Sequence, residues 1–496
     1  MLRPVSPLIA ASFLAFAACG APAEAGSAPI KKSIELHPCP EVEGAQCGYT
    51  EVPEDRGNPG SRTLKLSVLV LPASRADGSD PVFFFAGGPG EAATRAAPTV
   101  ISTDLRRLNP ARDVVFIDQR GTGDSNPLLC PPQQDPQAYF GNILGNNEAL
   151  RACRAALEKK ADLTKYVTSI AADDVDEVRA RLGYDKVIVW GGSYGTRAAM
   201  EYMRRHGDHV SGAILDGVFP FESRDPLSYA LDAQKALERV FADCASDSVC
   251  ASDYPHLRQR FDELLDQFRS GPKSASIRTA PDAPPTTVQY SIGDFGYTIR
   301  AMLYSSEATA RLPLEIVRAA KTGNVDSFAQ AYYDRASLFA RLIPTGLYLS
   351  VMCAEEVPPL SADEIVRWTA GTFLGVYLIN EYQRACAQWS RASIPPRFHG
   401  PLRSSIPTLV FSGGRDPATP AGGAGGVLRH LTRSRHVVFP KVGHGVSYTA
   451  CAISLISSFL ADPSFEQLDR GCVNDVSNST PFQRKGDTQL SGPARR

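Results

Sequence analysis

Beyond its first residues the chain has no long uncharged apolar run, which excludes a polytopic membrane protein. It also lacks a surplus of charge of either sign: 52 Lys and Arg stand against 53 Asp and Glu, for a formal net charge of −1. The basic footprint of a nucleic-acid-binding protein is therefore missing. There is no Cys-x-x-Cys and no clustered Cys/His set, so a zinc framework has no ligands to draw on. Histidine is scarce, eight in 496 residues, so a His in a distinctive setting is informative. What is present is a globular mixture, 43% hydrophobic and 21% charged, which excludes disorder, collagen and coiled coil for the bulk of the chain. The length permits a large buried core and more than one domain, and no internal repeat is visible.

Residues 1–25 read as an export signal. Arg3 supplies a positive start, Pro4 to Ala18 carries no charge, and two small-x-small sites follow at Ala21-Pro22-Ala23 and Ala23-Glu24-Ala25. Phe16-Ala17-Ala18-Cys19 resembles a bacterial lipoprotein cleavage site, with Phe16 where Leu is usual, so a lipid anchor at Cys19 is a further expectation. The product is expected to be exported, periplasmic or secreted, with no transmembrane domain after signal cleavage and with its oligomeric state open. Ten other cysteines remain: Cys39, Cys47, Cys130, Cys153, Cys244, Cys250, Cys353, Cys386, Cys451 and Cys472. An even number in an exported chain points to disulfides. Their connectivity cannot be deduced from spacing; pairing in sequence order, closing five short or moderate loops, is the expectation.

From Leu64 onward short apolar runs alternate with amphipathic stretches. Leu64 to Leu71, Pro81 to Phe85, Asp113 to Ile117, Lys186 to Trp190, Val210 to Leu215, Thr408 to Phe411 and His436 to Phe439 read as strands. Between the first five and the last two, the pattern becomes helical, as in Leu257 to Phe268, where Leu257, Phe261, Leu264, Leu265 and Phe268 share a face. Pro272 to Thr287 reads as a loop or short hairpin. The expected architecture is α/β: a mostly parallel sheet flanked by helices, with an inserted, mainly helical cap domain. Its boundaries are residues 39–220 for the first part of the core, 221–398 for the cap, 399–473 for the second part, and 474–496 for a polar, loose C-terminal tail.

The apolar run ending at Trp190 enters Gly191-Gly192-Ser193-Tyr194-Gly195, a Gly-x-Ser-x-Gly pattern. A strand that turns sharply into a helix puts such a serine at a strained tip, and side chains at the flanking positions would clash. The amide of Tyr194, at the helix start, is a candidate oxyanion donor. Serine needs a base, and the base an orienting acid. Asp416 in Gly-Gly-Arg-Asp-Pro and His444 in Gly-His-Gly follow the last two strands, in the chain order Ser, acid, His. Gly87-Gly88-Pro89-Gly90, after an early strand, suits a second oxyanion donor, with Gly88 as the candidate. No metal or organic cofactor is implied.

These motifs, with Asp118-Gln119-Arg120-Gly121-Thr122-Gly123-Asp124-Ser125, occur in the order seen in the proline iminopeptidases. The chain resembles more closely their secreted tripeptidyl aminopeptidase branch, with a Cys-bearing N-terminal segment, a helical cap and a Cys-containing C-terminal region, over roughly Cys39 to Cys472. The resemblance implies an α/β-hydrolase fold, a Ser193-Asp416-His444 triad, an oxyanion hole from Gly88 and Tyr194, and a structural, ion-pairing role for Arg120. It also implies a peptide substrate with a free N-terminus, whose ammonium would be read by carboxylates of the cap. Glu355 and Glu356 are the candidates. Proline iminopeptidases usually carry His before Gly-Gly-Pro-Gly; here Ala86 stands.

Two other readings share these residues. An esterase or lipase-like enzyme would use the same triad behind a wholly apolar cleft. A catalytically dead binding protein of the same fold would normally have lost a triad member, and here all three positions are filled.

Overall fold

The computed structural model describes residues 33–101, 111–223, 225–357, 360–466, 468–475 and 480–486. The expected export signal and Cys19 lie outside them. Eleven strands form among the described residues: β1 (Leu36–Pro38), β2 (Gln46–Pro53), β3 (Thr63–Leu71), β4 (Val82–Phe85), β5 (Val114–Ile117), β6 (Val187–Gly192), β7 (Val210–Asp216), β8 (Lys273–Ile277), β9 (Thr286–Tyr290), β10 (Thr408–Gly413) and β11 (Ser434–Phe439). Nine of them make one sheet in the order β1-β2-β3-β5-β4-β6-β7-β10-β11. From β5 to β11 every neighbour is parallel; β1, β2 and β3 continue one side in antiparallel fashion. β1 and β2 were not foreseen, since β1 is only three residues long and β2 mixes polar and apolar side chains rather than forming an apolar run.

The central strands are short and buried on both faces, as parallel strands covered by helices must be. In β4, Phe83 and Phe85 enter one apolar cluster, and Val82 and Phe84 the other; β5 and β6 divide in the same way. The first cluster includes helices Thr168–Leu182 and Tyr194–His206; the second includes Ala93–Val100 and Ala450–Ala461.

Between β7 and β10 the chain forms nine α-helices among the described residues and the antiparallel hairpin β8–β9, which stands apart from the main sheet. The helix Leu257–Arg269 buries Leu257, Phe261, Leu264, Leu265 and Phe268. These side chains join the same apolar cluster as one face of the sheet, so the inserted segment is packed onto the core.

The ten cysteines pair in sequence order: Cys39–Cys47, Cys130–Cys153, Cys244–Cys250, Cys353–Cys386 and Cys451–Cys472. Five disulfides are compatible with an oxidising compartment. No single helix among the described residues is long and apolar enough to cross a membrane. The expectation of a loose tail needs correction for residues 480–486. Phe482 packs against the main apolar cluster, Gln483 N donates to the Ala310 carbonyl while the Gln483 carbonyl accepts the Tyr254 hydroxyl, and Lys485 N donates to Asp253. One aromatic anchor in a polar stretch is enough to dock it.

Candidate active site

β6 delivers Ser193 with φ 56° and ψ −126°, a left-handed conformation that a non-glycine residue adopts only where its surroundings enforce it. The helix Tyr194–His206 begins at the next residue. The flanking glycines are steric requirements: a Cβ on Gly191 would lie 2.3 Å from the Gly195 carbonyl oxygen, and one on Gly195 would lie 2.0 Å from that of Phe85. Backbone bonds fix the turn. Ser193 N donates to the Asp216 carbonyl at the end of β7, and Thr196 returns its N–H and hydroxyl to the Ser193 carbonyl. The Tyr194 amide belongs to the first turn of the helix, where N–H groups lack intrahelical acceptors and anions are favoured.

The loop after β4 lies against this turn. A Cβ on Gly87 would be 3.5 Å from Ser193 Cβ, and Gly88 holds φ +110°, where a side chain would meet Gly90 N at 2.6 Å. The loop after β10 brings Asp416, and the loop after β11 brings His444. His444 Nδ1 hydrogen-bonds Asp416 Oδ2 at 2.8 Å. Asp416 is itself held by the amides of Ala418 and Thr419 on Oδ1 and by the Thr419 hydroxyl on Oδ2. Gly217, just after β7, joins the two halves: a Cβ there would be 3.4 Å from His444 Cε1 and 3.6 Å from Asp416 Oδ2, while Asp216 before it receives Ser193 N. Acid and imidazole are thus in contact and the serine is anchored to the same strand end; no hydrogen bond joins Ser193 Oγ to His444.

Burial alone would raise Asp416, but the His444 charge and hydrogen bond, with the Thr419 and Ala418 amides, hold its carboxyl below the ordinary range. Burial would lower His444; Asp416 and, farther off, Asp216 outweigh it and keep the imidazole above its ordinary value, against a contrary push from Arg300. A carboxylate and a basic imidazole in contact are the pair a nucleophilic serine requires.

Glu355 and Glu356 end the helix Thr345–Glu355, and both are buried. Glu355 accepts the Thr168 amide at 2.7 Å and the Thr168 hydroxyl at 2.7 Å; that hydroxyl also bonds the Tyr194 phenol at 2.6 Å. Glu356 pairs with Arg197, which is fully buried one turn into the serine-bearing helix and donates to the Pro220 carbonyl. Burial pushes Glu355 up to about 7 and Glu356 up to about 8, the latter against the Arg197 charge. Arg120 is buried and forms a two-bond ion pair with Asp174 while donating to the Glu54 and Pro53 carbonyls.

Four residues near the site escaped the sequence reading. Thr419 follows Asp416 by three, a side-chain turn spacing that was legible. Asp216 accepts the Ser447 amide and hydroxyl beneath His444. Tyr304 sets its ring against His444, centroids 5.0 Å apart, and its carbonyl accepts the His444 amide at 2.9 Å. Arg300 lies in the helix Ile292–Met302, four residues before Tyr304 in the turn that follows it. The last two come from the inserted segment, and nothing local marks them. The cap also reaches the loop after β4, where Ile343 would touch a Cβ on Gly90.

Two family models match the chain: the alpha/beta hydrolase fold over residues 80–297 and the TAP-like protein model over residues 371–472. The chain is 27% identical over 480 residues to serine protease Hip1 of Mycobacterium tuberculosis, covering 87% of this chain and 89% of that one. It is 25% identical over 464 residues to the tripeptidyl aminopeptidase of Streptomyces coelicolor, covering 86% and 83%. It is also 28% identical over 417 residues to carboxylesterase B of Mycobacterium tuberculosis, covering 77% of each. With the elbow at Ser193 and the Asp416–His444 pair behind it, these matches mark the chain as a serine peptidase with an α/β-hydrolase fold, similar to the tripeptidyl aminopeptidases.

Proposed function

We propose that this serine peptidase is an exported aminopeptidase that releases residues or short peptides from the free N-terminus of peptides, through an acyl-enzyme on Ser193. His444 takes the Ser193 proton as the hydroxyl attacks the carbonyl, and Asp416 holds the imidazolium that forms. The amides of Gly88 and Tyr194 receive the developing oxyanion. His444 returns the proton to the leaving amine, and water then releases the acyl group. The Ser193–His444 hydrogen bond forms in the substrate complex in this reading. The observation that carries this reading is the 2.8 Å His444–Asp416 bond beside a serine in an enforced left-handed turn.

Glu356 is the candidate for reading the substrate ammonium, supported by Glu355 next to it. It stands against Arg197, four residues beyond Ser193 on one helix. Residues 1–25 act as the export signal in this reading; lipid attachment at Cys19 is the alternative, in which cleavage falls just before that residue. Carboxylesterase B among the relatives favours ester hydrolysis as the second reading.

A panel of aminoacyl-, dipeptidyl- and tripeptidyl-amide chromogens, each with free and blocked N-terminus, beside short-chain acyl esters, separates the two. Preference for free-amine peptides, lost in Ser193→Ala, is the expected result, with Glu356→Gln raising KM for free over blocked substrates. Strong preference for blocked peptides or esters sinks the aminopeptidase reading.

A further inference from the structure

A buried charge without a partner is costly enough that it normally marks a place where a partner arrives. Arg300 is such a charge. It is 7% exposed, its Nε has no acceptor, and it forms no hydrogen bond or ion pair with any described residue. Its guanidinium lies over the Tyr229 ring at 4.3 Å and the Tyr304 ring at 5.2 Å, and both rings are only half-buried. Arg335, exposed and also without an ion pair among the described residues, lies over the Tyr304 ring at 5.7 Å. The nearest acids are engaged elsewhere: Asp225 accepts the Ser228 hydroxyl, and Asp232 pairs with Lys235 at 3.6 Å. Tyr304 in turn touches His444. Two unpaired guanidinium groups therefore converge on one aromatic wall beside the catalytic imidazole.

We propose that Arg300, walled by Tyr229 and Tyr304 and with Arg335 at the rim, is a carboxylate-binding subsite that takes an anionic group of the peptide substrate next to His444. It rests on the peptidase reading above. Guanidinium is matched to carboxylate by shape as well as charge, and aromatic walls strengthen the bond by excluding water. The carboxylate is either an acidic side chain or the C-terminus of a short peptide.

Binding to Ser193→Ala, measured by calorimetry, tests this without turnover. Three ligands are compared: a tripeptide amide containing Glu, its Gln counterpart, and the free acid of the Gln peptide. We expect at least one carboxylate form to bind about tenfold more tightly than the neutral amide. That advantage disappears on adding Arg300→Met and survives in part with Arg300→Lys. An advantage confined to the Glu peptide assigns a side-chain carboxylate; one confined to the free acid assigns the C-terminus. No difference among the three ligands in the Ser193→Ala parent, or an advantage that survives Arg300→Met, overturns the subsite. If the wild type cleaves no peptide chromogen while the carboxylate advantage holds, the peptidase reading falls and the subsite stands.

Discussion

Asp416 serves two purposes with one carboxylate: Oδ1 shapes its own loop through two amides, and Oδ2 orients the imidazole. Asp416→Asn keeps the loop bonds but offers His444 the wrong polarity or tautomer. We expect kcat to fall roughly 10⁴-fold with folding intact, read by steady-state kinetics beside circular dichroism. In the proposed mechanism the imidazole also sets the pH profile. His444 must be neutral to accept a proton, and its folded pKa is held above the ordinary value, chiefly by Asp416 acting against burial. Activity should therefore fall as pH drops through a midpoint above about 6.5. In Asp416→Asn that midpoint should move downward, since burial and Arg300 then act unopposed by it. A pH profile of kcat/KM with the same midpoint in both proteins would show that another group limits the reaction.

At the scale of elements, the strand-to-helix turn is a tight steric assembly. Gly195→Ala puts a methyl 2.0 Å from the Phe85 oxygen, so the helix Tyr194–His206 must move off β4. The expected loss is about 1–3 kcal/mol or more, seen as a lower thermal midpoint, with activity lost beyond what the unfolded fraction explains. A second element link runs from the inserted helix Thr345–Glu355 through Thr168 to the phenol of Tyr194, whose amide is the candidate oxyanion donor. Glu355 is raised to about 7 from 4.5, so the folded chain keeps a proton that the unfolded chain has released. Its contribution to stability is greatest below pH 4.5, declines as pH rises to about 7, and is level above. The decline amounts to on the order of 3 kcal/mol. Denaturant midpoints measured across that window should flatten in Glu355→Gln; an unchanged slope would assign the decline to other groups.

At the scale of the whole molecule, the disulfides divide by what they hold. Cys353–Cys386 closes a 33-residue separation and pins the helix that ends in Glu355, whereas Cys244–Cys250 closes 6 residues between consecutive helices. Restraint of the unfolded chain grows with loop length, so removing the longer bridge by Cys353→Ser with Cys386→Ser should cost roughly 2–4 kcal/mol, and removing the shorter one less. Only the longer bridge borders the Glu355–Thr168–Tyr194 link, so its loss should also lower kcat/KM in the fraction that remains folded. Equal effects of the two removals, by calorimetry and kinetics, would contradict this division.

The sequence by itself determined what obeys local rules. A strand buried on both faces must be an apolar run, a helix face must repeat its apolar residues, and a serine at a sharp turn must be bounded by glycine. Hence Val187–Gly192, Leu257–Arg269 and the Ser193 elbow were legible from a few adjacent residues. Asp416 and His444 were legible for the same reason, as conspicuous polar residues in glycine-bounded loops after strands. The tertiary structure alone decided which cap residues meet the core. Glu355 and Thr168 are 187 positions apart, and Tyr304 reaches His444 from a turn between two helices of the insertion. Those contacts are set by how the cap packs on one apolar cluster, a sum of many weak non-directional terms with no signature in any short stretch of chain. Only there do Arg300, whose Nε has no hydrogen-bond partner among the described residues, and Glu355 claimed by Thr168 become distinguishable from ordinary surface charges.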